Sequence, residues 1–215
     1  MSINDRLKKI QKKLKSKTVL VAVSKTRKVS EILEVYNCGQ RVFGENKVQE
    51  LVQKNQELPN DIKWHMIGHL QSNKVKYIAP FIDLIHSVDS LKLLSEINKR
   101  AIQNNRIIDC LLQVHIAKED NKFGFKISQI TDVIYKTQQL KGINIKGLMG
   151  MATFTNNRER IIYEFSQLNS IFQKIKTSQI NVLSIGMSSD YLIAIENGSN
   201  MVRIGSAIFG IRRTS

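Results

Sequence analysis

The sequence predicts an α/β protein built as a single (β/α)8 TIM-type barrel with an extra N-terminal helix. Two observations predict this fold: short apolar runs alternate with amphipathic helical patterns along the chain, and the runs number eight. No linker or domain-sized interruption separates them, and only two prolines occur. An open doubly wound sheet permits the same alternation, but eight regular units favour the closed barrel. We therefore expect one domain over residues 1–215.

The N-terminal helix is predicted by four apolar residues at helical spacing, Ile3, Leu7, Ile10 and Leu14. The eight predicted strands are 19–24, 41–44, 63–67, 83–88, 107–116, 143–149, 182–185 and 201–204. Further helices are predicted from 29 to a C-cap at Gly39, and over 47–56, 70–78, 90–102, 129–139, 159–175 and 191–197. Asp89 and Asp190 are the expected N-caps of two of these helices, because short acidic side chains accept hydrogen bonds from first-turn amides.

Charge is the most unusual feature of the composition, since 33 basic and 18 acidic residues give a formal net charge of +15. Such a surplus attracts polyanions non-specifically. A dedicated nucleic-acid binder concentrates its charge on one face, beside aromatic or base-reading groups. Here lysine is spread over most segments, and aromatic residues make up only 7%. The sequence therefore predicts no specific nucleic-acid partner.

Membrane and metal partners have no signal in the sequence. No apolar run approaches the length of a membrane span, and the N-terminus lacks the apolar core of a signal peptide. The two cysteines and the four histidines show no metal-ligand spacing. We expect a cytoplasmic protein with no membrane association and no metal site.

Lys25 is the first candidate functional residue, because functional groups of such barrels lie where the strands end at their C-terminal face. It shares the parity of Val19, Val21 and Val23, so its side chain is expected on the face that those valines take. A lysine that continues an inward apolar row is desolvated, which favours the neutral, nucleophilic amine. A lysine that leaves the strand and extends into solvent is the alternative, and the pattern alone leaves both open.

Two matching turns follow the seventh and eighth strands. Segments 184–190 and 202–207 each combine a strand end, small residues with amides and hydroxyls, and a helix start. Such turns bind phosphate, and the loops after these two strands are the usual phosphate site of the fold. Ordinary helix capping is the alternative. Arg203 shares strand parity with Met201 and Gly205, so it points to the same site unless it forms a surface salt bridge.

Six motifs, in order along nearly the whole chain, carry a specific resemblance: AVSKT at 22–26, FGEN at 43–46, WHMIGHLQSNK at 64–74, GLM at 147–149, SIGMSSD at 184–190 and VRIGSAIFG at 202–210. The sequence resembles the pyridoxal 5′-phosphate (PLP) homeostasis protein family, which is similar to the N-terminal barrel domain of alanine racemase. The resemblance implies that Lys25 holds PLP as a Schiff base. It further implies phosphate binding by Ser188, Gly205 and Ser206, with Arg203 facing the pyridine nitrogen and Asn46 beside the ring.

The function that this resemblance implies is PLP binding for vitamin B6 homeostasis, without evident catalytic turnover, in a monomer that is not an enzyme. PLP-dependent apo-enzymes are the expected partners. Alanine racemases complete their site with a second domain and a partner subunit's tyrosine. We expect no such second domain, because this chain has no room for it. A small amino-acid racemase or Schiff-base aldolase is one alternative, and a basic nucleic-acid-binding module is another. Three positions depart from the usual family pattern: Ser206 and Asn200 replace threonines, and His115 replaces an asparagine.

Overall fold

The computed structural model describes residues 2–117 and 123–210, which form a closed barrel of eight parallel strands in sequence order. The strands are β1 (Val19–Val23), β2 (Val42–Glu45), β3 (Lys63–Met66), β4 (Leu84–Val88), β5 (Ile108–Val114), β6 (Ile143–Gly150), β7 (Val182–Ser184) and β8 (Met201–Ile204). β8 pairs with β1 from Val19–Met201 to Ala22–Ile204, which closes the ring. The prediction of a closed barrel in place of an open sheet is confirmed.

Helices cover the outside of the barrel. They are α1 (Ile3–Gln11), α2 (Val29–Asn37), α3 (Val48–Glu57), α4 (Val75–Ile78), α5 (Leu91–Gln103), α6 (Ile130–Thr137), α7 (Arg158–Ile175), α8 (Tyr191–Glu196) and α9 (Ser206–Phe209). The extra helix α1 begins at a capping box in which Ser2 and Asp5 exchange hydrogen bonds. Within the described ranges, none of these helices combines the length and apolar character that a membrane crossing requires.

Three details of the predicted helices are wrong. The N-terminal helix ends at Gln11, so Leu14 packs on the core from beyond it. The helix predicted over 70–78 is a 3-10 turn at Ser72–Lys74 followed by the short α4. The N-cap of α5 is Ser90, whose hydroxyl accepts from the Leu93 amide, while Asp89 pairs with His69 at 3.1 Å. Two adjacent cap-forming side chains compete there, and the hydroxyl is the one in register with the first turn.

Alternation along the strands divides the apolar residues into two cores. In β1, Leu20 and Ala22 belong to the large core between strands and helices. Val21 belongs instead to a small second cluster inside the barrel, with Leu84, Leu111, Met149 and Met201. This is the period-two pattern of a barrel whose interior is filled by side chains. It fixes which residues can reach the C-terminal mouth.

Gly147 marks the one register shift between β5 and β6. Cys110 pairs with Ile145 but Leu111 pairs with Gly147, so Lys146 is an extra residue in β6. Gly147 has φ +155°, and a β-carbon built there would lie 1.8 Å from the carbonyl oxygen of Val182 in β7. The contact between β6 and β7 therefore requires glycine at this bulge.

Substitution of Gly147 by alanine is expected to lower the free energy of unfolding by more than about 2 kcal/mol, because β6 and β7 must separate to admit the methyl group. Gly39→Ala is the matched control. Gly39 has φ +93°, but among the described residues no atom lies within 4 Å of a β-carbon built there. Its cost is backbone strain alone, about 1 kcal/mol. Urea unfolding measures both variants, and equal losses would contradict the close approach of β7.

Candidate cofactor-binding site

A pocket of about 870 Å³ opens at the C-terminal ends of the strands. All six residues predicted for the site line it: Lys25, Asn46, Ser188, Arg203, Gly205 and Ser206. They come from four segments that are far apart in sequence, the ends of β1, β2, β7 and β8. The volume lies in the range of small-molecule and cofactor sites. Barrel closure therefore brings the predicted residues to one cavity.

Lys25 continues the inward row of β1. Val21 lies in the cluster inside the barrel, Val23 lines the pocket, and half-buried Lys25 lines it next. Parity alone left a lysine directed into solvent as the alternative, and the structure has the inward continuation. The side-chain amine therefore belongs to the pocket wall.

A buried ion pair supports the backbone on which Lys25 stands. The Glu45 carboxylate accepts from the Ser24 hydroxyl at 2.6 Å and from the Lys54 ammonium at 2.7 Å. Lys54 also donates to the Ser24 carbonyl at 2.8 Å, so the hydroxyl and the carbonyl of Ser24 are both held. Burial raises the pKa of the Glu45 carboxyl, and the pairing with Lys54 opposes that shift. The residue before Lys25 is thus fixed from α3 and β2.

The residue after Lys25 is held in an uncommon conformation. Thr26 has φ +62°, in the left-handed region that non-glycine residues seldom adopt. Its amide donates to the Glu50 carboxylate at 2.7 Å, and Lys54 lies 3.3 Å from the same carboxylate. One cluster, Ser24, Glu45, Glu50 and Lys54, therefore fixes the chain on both sides of Lys25.

Sequence reasoning missed this cluster, although one signal was available. Lys54 lies on the apolar stripe of α3 with Val48 and Leu51, and the side chain is only 8% exposed. A lysine on the buried face of a helix needs an acidic partner. Glu45 directly precedes the predicted site residue Asn46, which was the natural place to look.

Asn46 reaches the pocket because Gly68 leaves room for its backbone. A β-carbon at Gly68 would lie 2.3 Å from the Asn46 carbonyl oxygen. The end of β3 therefore packs directly on the residue that follows β2, and half-buried Asn46 is held at the pocket wall.

Ser188 joins the two turns after β7 and β8. Its hydroxyl oxygen accepts from the amides of Gly205 at 3.2 Å and Ala207 at 3.3 Å, which leaves its O–H as a donor. Asp190 closes the first turn by accepting from the Met187 amide at 2.6 Å. It stands at the predicted N-cap position of α8 but makes no side-chain bond to that helix. Together with Ser206, these groups present amides and hydroxyls at one end of the pocket.

Arg203 lies at the other, deeper part of the pocket wall and is 4% exposed. Its guanidinium donates to the carbonyl oxygens of Ser184 at 2.8 Å and Gly150 at 2.9 Å, and to the Ser184 hydroxyl at 2.7 Å. Burial lowers the pKa of Arg203 to about 10, which still leaves the guanidinium charged at neutral pH. Its contacts are buried, so the predicted alternative of a surface salt bridge is wrong.

Sequence reasoning also missed the contact that two buried histidines make behind Arg203. His86 lies 3.1 Å from the Ser184 hydroxyl and 2.9 Å from His65, and His65 lies 3.3 Å from Asp83. Burial lowers the pKa of both imidazoles, most strongly for His86. Parity was the available signal: His65 and His86 alternate with Trp64, Met66 and Ile85, which face the outer core.

The three departures from the family pattern lie in different places. Asn200 bonds to the Leu183 amide and the Asn181 carbonyl, at the strand ends opposite the pocket. Ser206 lines the pocket and keeps a hydroxyl there. His115 follows β5, and its Nε2 is buried without a hydrogen-bond partner among the described residues.

The closed barrel of eight parallel strands is of the class found in alanine racemases. The sequence pattern of the family described as alanine racemase, N-terminal domain, matches residues 1–213. The chain is 39% identical over 199 residues to the pyridoxal phosphate homeostasis protein of Aquifex aeolicus, covering 90% of this chain and 87% of that one. Identity to the protein of the same name from Pasteurella multocida is 38% over 208 residues, covering 94% and 89%. The chain belongs to the pyridoxal phosphate homeostasis protein family.

Solved structures give the same assignment. PipY of Synechococcus elongatus, solved with PLP bound, is 34% identical and superposes with a TM-score of 0.88, covering 97% of this chain and all of that one. An alanine racemase of Clostridium difficile has a TM-score of 0.76 at 13% identity, covering all of this chain and 57% of that one. This second likeness shows the fold alone. The predicted family and fold are confirmed.

Lys54→Met is expected to lower the free energy of unfolding by about 3 kcal/mol, because it leaves the fully buried Glu45 carboxylate without its cation. Lys136→Met is the matched control, since Lys136 pairs with Asp132 on an exposed helix face and should cost roughly 0.5 kcal/mol or less. Urea unfolding at pH 7 measures both variants. Similar small losses would contradict the structural role of the buried pair.

Stability is expected to fall as the pH is lowered from 6.5 to 5.5. His65 and His86 have pKa values below 6.5 in the folded chain but about 6.5 when unfolded. The unfolded chain therefore binds more protons in this window, and each histidine removes up to about 1.4 kcal/mol per pH unit. Burial raises the pKa of Glu45 and Asp190, whose protonation would oppose the trend at lower pH.

Urea midpoints at pH 7.5, 6.5 and 5.5 check this expectation. A His69→Gln protein is the control, because the His69 side chain is 41% exposed and its removal leaves the buried pair of histidines in place. Constant stability over the window would contradict the neutral, buried state of the two histidines.

Proposed function

We propose that this chain binds PLP as a Schiff base on Lys25, within a single barrel domain over residues 1–215. The observation that carries the proposal is the shared pocket, which is lined both by a lysine and by turns that present hydroxyls and amides. An amine forms a reversible covalent bond with an aldehyde, and hydroxyls and amides bind phosphate. These are the two groups that PLP carries. The named function of the relatives and the PLP in PipY support the same ligand.

Each predicted residue then has a role. Lys25 would supply the amine that condenses with the PLP aldehyde, with release of water. Ser188, Gly205 and Ser206 bind the phosphate, with the Ser188 O–H as one donor. Arg203 faces the pyridine nitrogen as a fixed cation, and Asn46 lies beside the ring. The donor set of the pocket fits the cofactor at both ends.

We infer that the bound cofactor is stored or delivered without turnover, so that the protein is not an enzyme. PLP accelerates carbanion chemistry when its ring nitrogen is protonated and withdraws electrons. Arg203 remains charged at neutral pH, so its guanidinium can only donate hydrogen bonds. A protonated ring nitrogen would also be a donor, and a guanidinium that faces it therefore favours the unprotonated nitrogen. The function would be PLP homeostasis in the cytoplasm, by a monomer, with PLP-dependent apo-enzymes as partners.

Purified protein mixed with PLP is expected to show a Schiff-base absorption band. Borohydride should reduce the Schiff base and so attach PLP permanently to Lys25. Peptide mapping locates the modified lysine. Lys25→Ala should lose the band, whereas Lys99→Ala, at an exposed position of α5, should retain it. A band that persists in Lys25→Ala would contradict the assignment, because another lysine would then carry the cofactor.

The same preparation separates homeostasis from catalysis. We expect no amino-acid α-proton exchange above that of free PLP, and transfer of PLP to an added apo-enzyme. Rapid exchange with multiple turnovers would favour a racemase and would contradict the proposed carrier.

A further inference from the structure

A line of hydrogen bonds crosses the inside of the barrel from the pocket to its opposite end. Arg203 donates to the Ser184 hydroxyl oxygen at 2.7 Å, and Ser184 lies 3.1 Å from Nδ1 of His86. Nε2 of His86 lies 2.9 Å from Nδ1 of His65, and Nε2 of His65 lies 3.3 Å from the Asp83 carboxylate. Four strands contribute, because these residues belong to β8, β7, β4 and β3, and Asp83 directly precedes β4.

The two ends of the line fix its direction. A guanidinium can only donate hydrogen bonds, and an ionised carboxylate can only accept them. His65 must therefore carry its proton on Nε2 to donate to Asp83, which leaves Nδ1 as the acceptor for His86. His86 then also carries its proton on Nε2, and its Nδ1 accepts from Ser184. The reverse order would set a bare imidazole nitrogen against the carboxylate, which is unfavourable.

Burial keeps the line neutral between its charged ends. Ser184 and His86 are fully buried and His65 is 3% exposed, whereas the Asp83 side chain is 47% exposed. Burial lowers the pKa of both histidines. The charges that act on them are His65 and Arg203 on His86, and Asp83 and Lys63 on His65. The hydrogen bond from His65 lowers the pKa of Asp83, so the acceptor end stays ionised at neutral pH.

We propose that Ser184, His86 and His65 are positioning residues that hold the Arg203 guanidinium in one orientation, and that Asp83 sets the direction of the line. Aligned hydrogen bonds polarise one another. In this line, each residue presents its acceptor atom toward the Arg203 end. The orientation of Arg203 therefore depends on a carboxylate at the far end of the barrel. That Arg203 faces the pyridine ring rests on the proposed function, whereas the line itself belongs to the free protein.

Histidine tautomers in the protein without PLP test the line directly. Long-range proton–nitrogen NMR spectra of protein with 15N-labelled histidine are recorded between pH 6 and 8, and His69→Gln and His115→Gln identify the remaining two signals. We expect His65 and His86 to carry the proton on Nε2, with no titration in this range. A proton on Nδ1 of either residue, or titration near pH 7, would overturn the proposal.

Asp83→Asn tests the anchor. The amide can donate as well as accept, so both directions become possible, and Nδ1-protonated forms of His65 and His86 should appear together. Asp109→Asn is the control: it makes the same charge change at the same end of the barrel, where Asp109 contacts Asn144 and no histidine. Tautomers that stay unchanged in Asp83→Asn would overturn the role of Asp83.

PLP binding tests the link to the pocket. Asp83→Asn should shift the absorption maximum of bound PLP and weaken its binding roughly two- to five-fold, the size of one weakened hydrogen bond, whereas Asp109→Asn should change neither. Wild-type values in Asp83→Asn would overturn the link. If the wild type itself binds no PLP, the proposed function fails, while the tautomers of the free protein still decide whether the line exists.

Discussion

Closure of eight strands into a ring leaves an interior just wide enough for side chains, so every second residue of each strand must fit there. One part of this interior is an apolar cluster that includes Val21, Leu84 and Leu111, and another part is the line of hydrogen bonds through His86. Farther toward the mouth the same inward rows become polar, with Arg203 in β8 and Lys25 after β1. The pocket is the place where the inward rows end at the mouth, and its chemistry follows from the residues at those row ends.

Polar groups inside such a barrel are stable only when each has a partner, since desolvation of an unpaired group costs more than most single contacts supply. Arg203 meets this condition with two carbonyl oxygens and one hydroxyl. The Glu45–Lys54 pair meets it for Oε1 of Glu45 on the outer side of β2, whereas Oε2 is buried without a hydrogen-bond partner among the described residues. Each of these groups adjoins a residue of the pocket wall. The interactions that satisfy the buried charges are therefore the ones that hold the pocket residues in place.

Much of this arrangement could be predicted from the sequence because strands and turns leave local signals. Alternation located all eight strands. Parity gave the inward position of Lys25 and Arg203 as one of two possibilities, and it is the one that the structure has. The roles of Asn46 and Ser188 toward a cofactor came from the family resemblance and stay predictions. The partners of buried charges could not be predicted, because Lys54 and His86 meet residues whose nearness depends on strand register and closure. The predicted N-cap of α5 was wrong because Asp89 and Ser90 compete for that position, and the choice between them depends on local backbone geometry.

The openness of the pocket bears on what a covalent PLP site can do. Met151 and Phe154 lie at its rim, and Phe154 is 91% exposed, so the described segment after β6 does not cover the mouth. Formation of a Schiff base releases water, and water reverses it. Water that enters past this segment could therefore hydrolyse the Schiff base that is proposed for Lys25. A pocket closed by a lid would exclude water and favour chemistry on the bound cofactor. Solvent access past this segment and the charged Arg203 thus both support the proposed function, in which PLP is held reversibly and released intact.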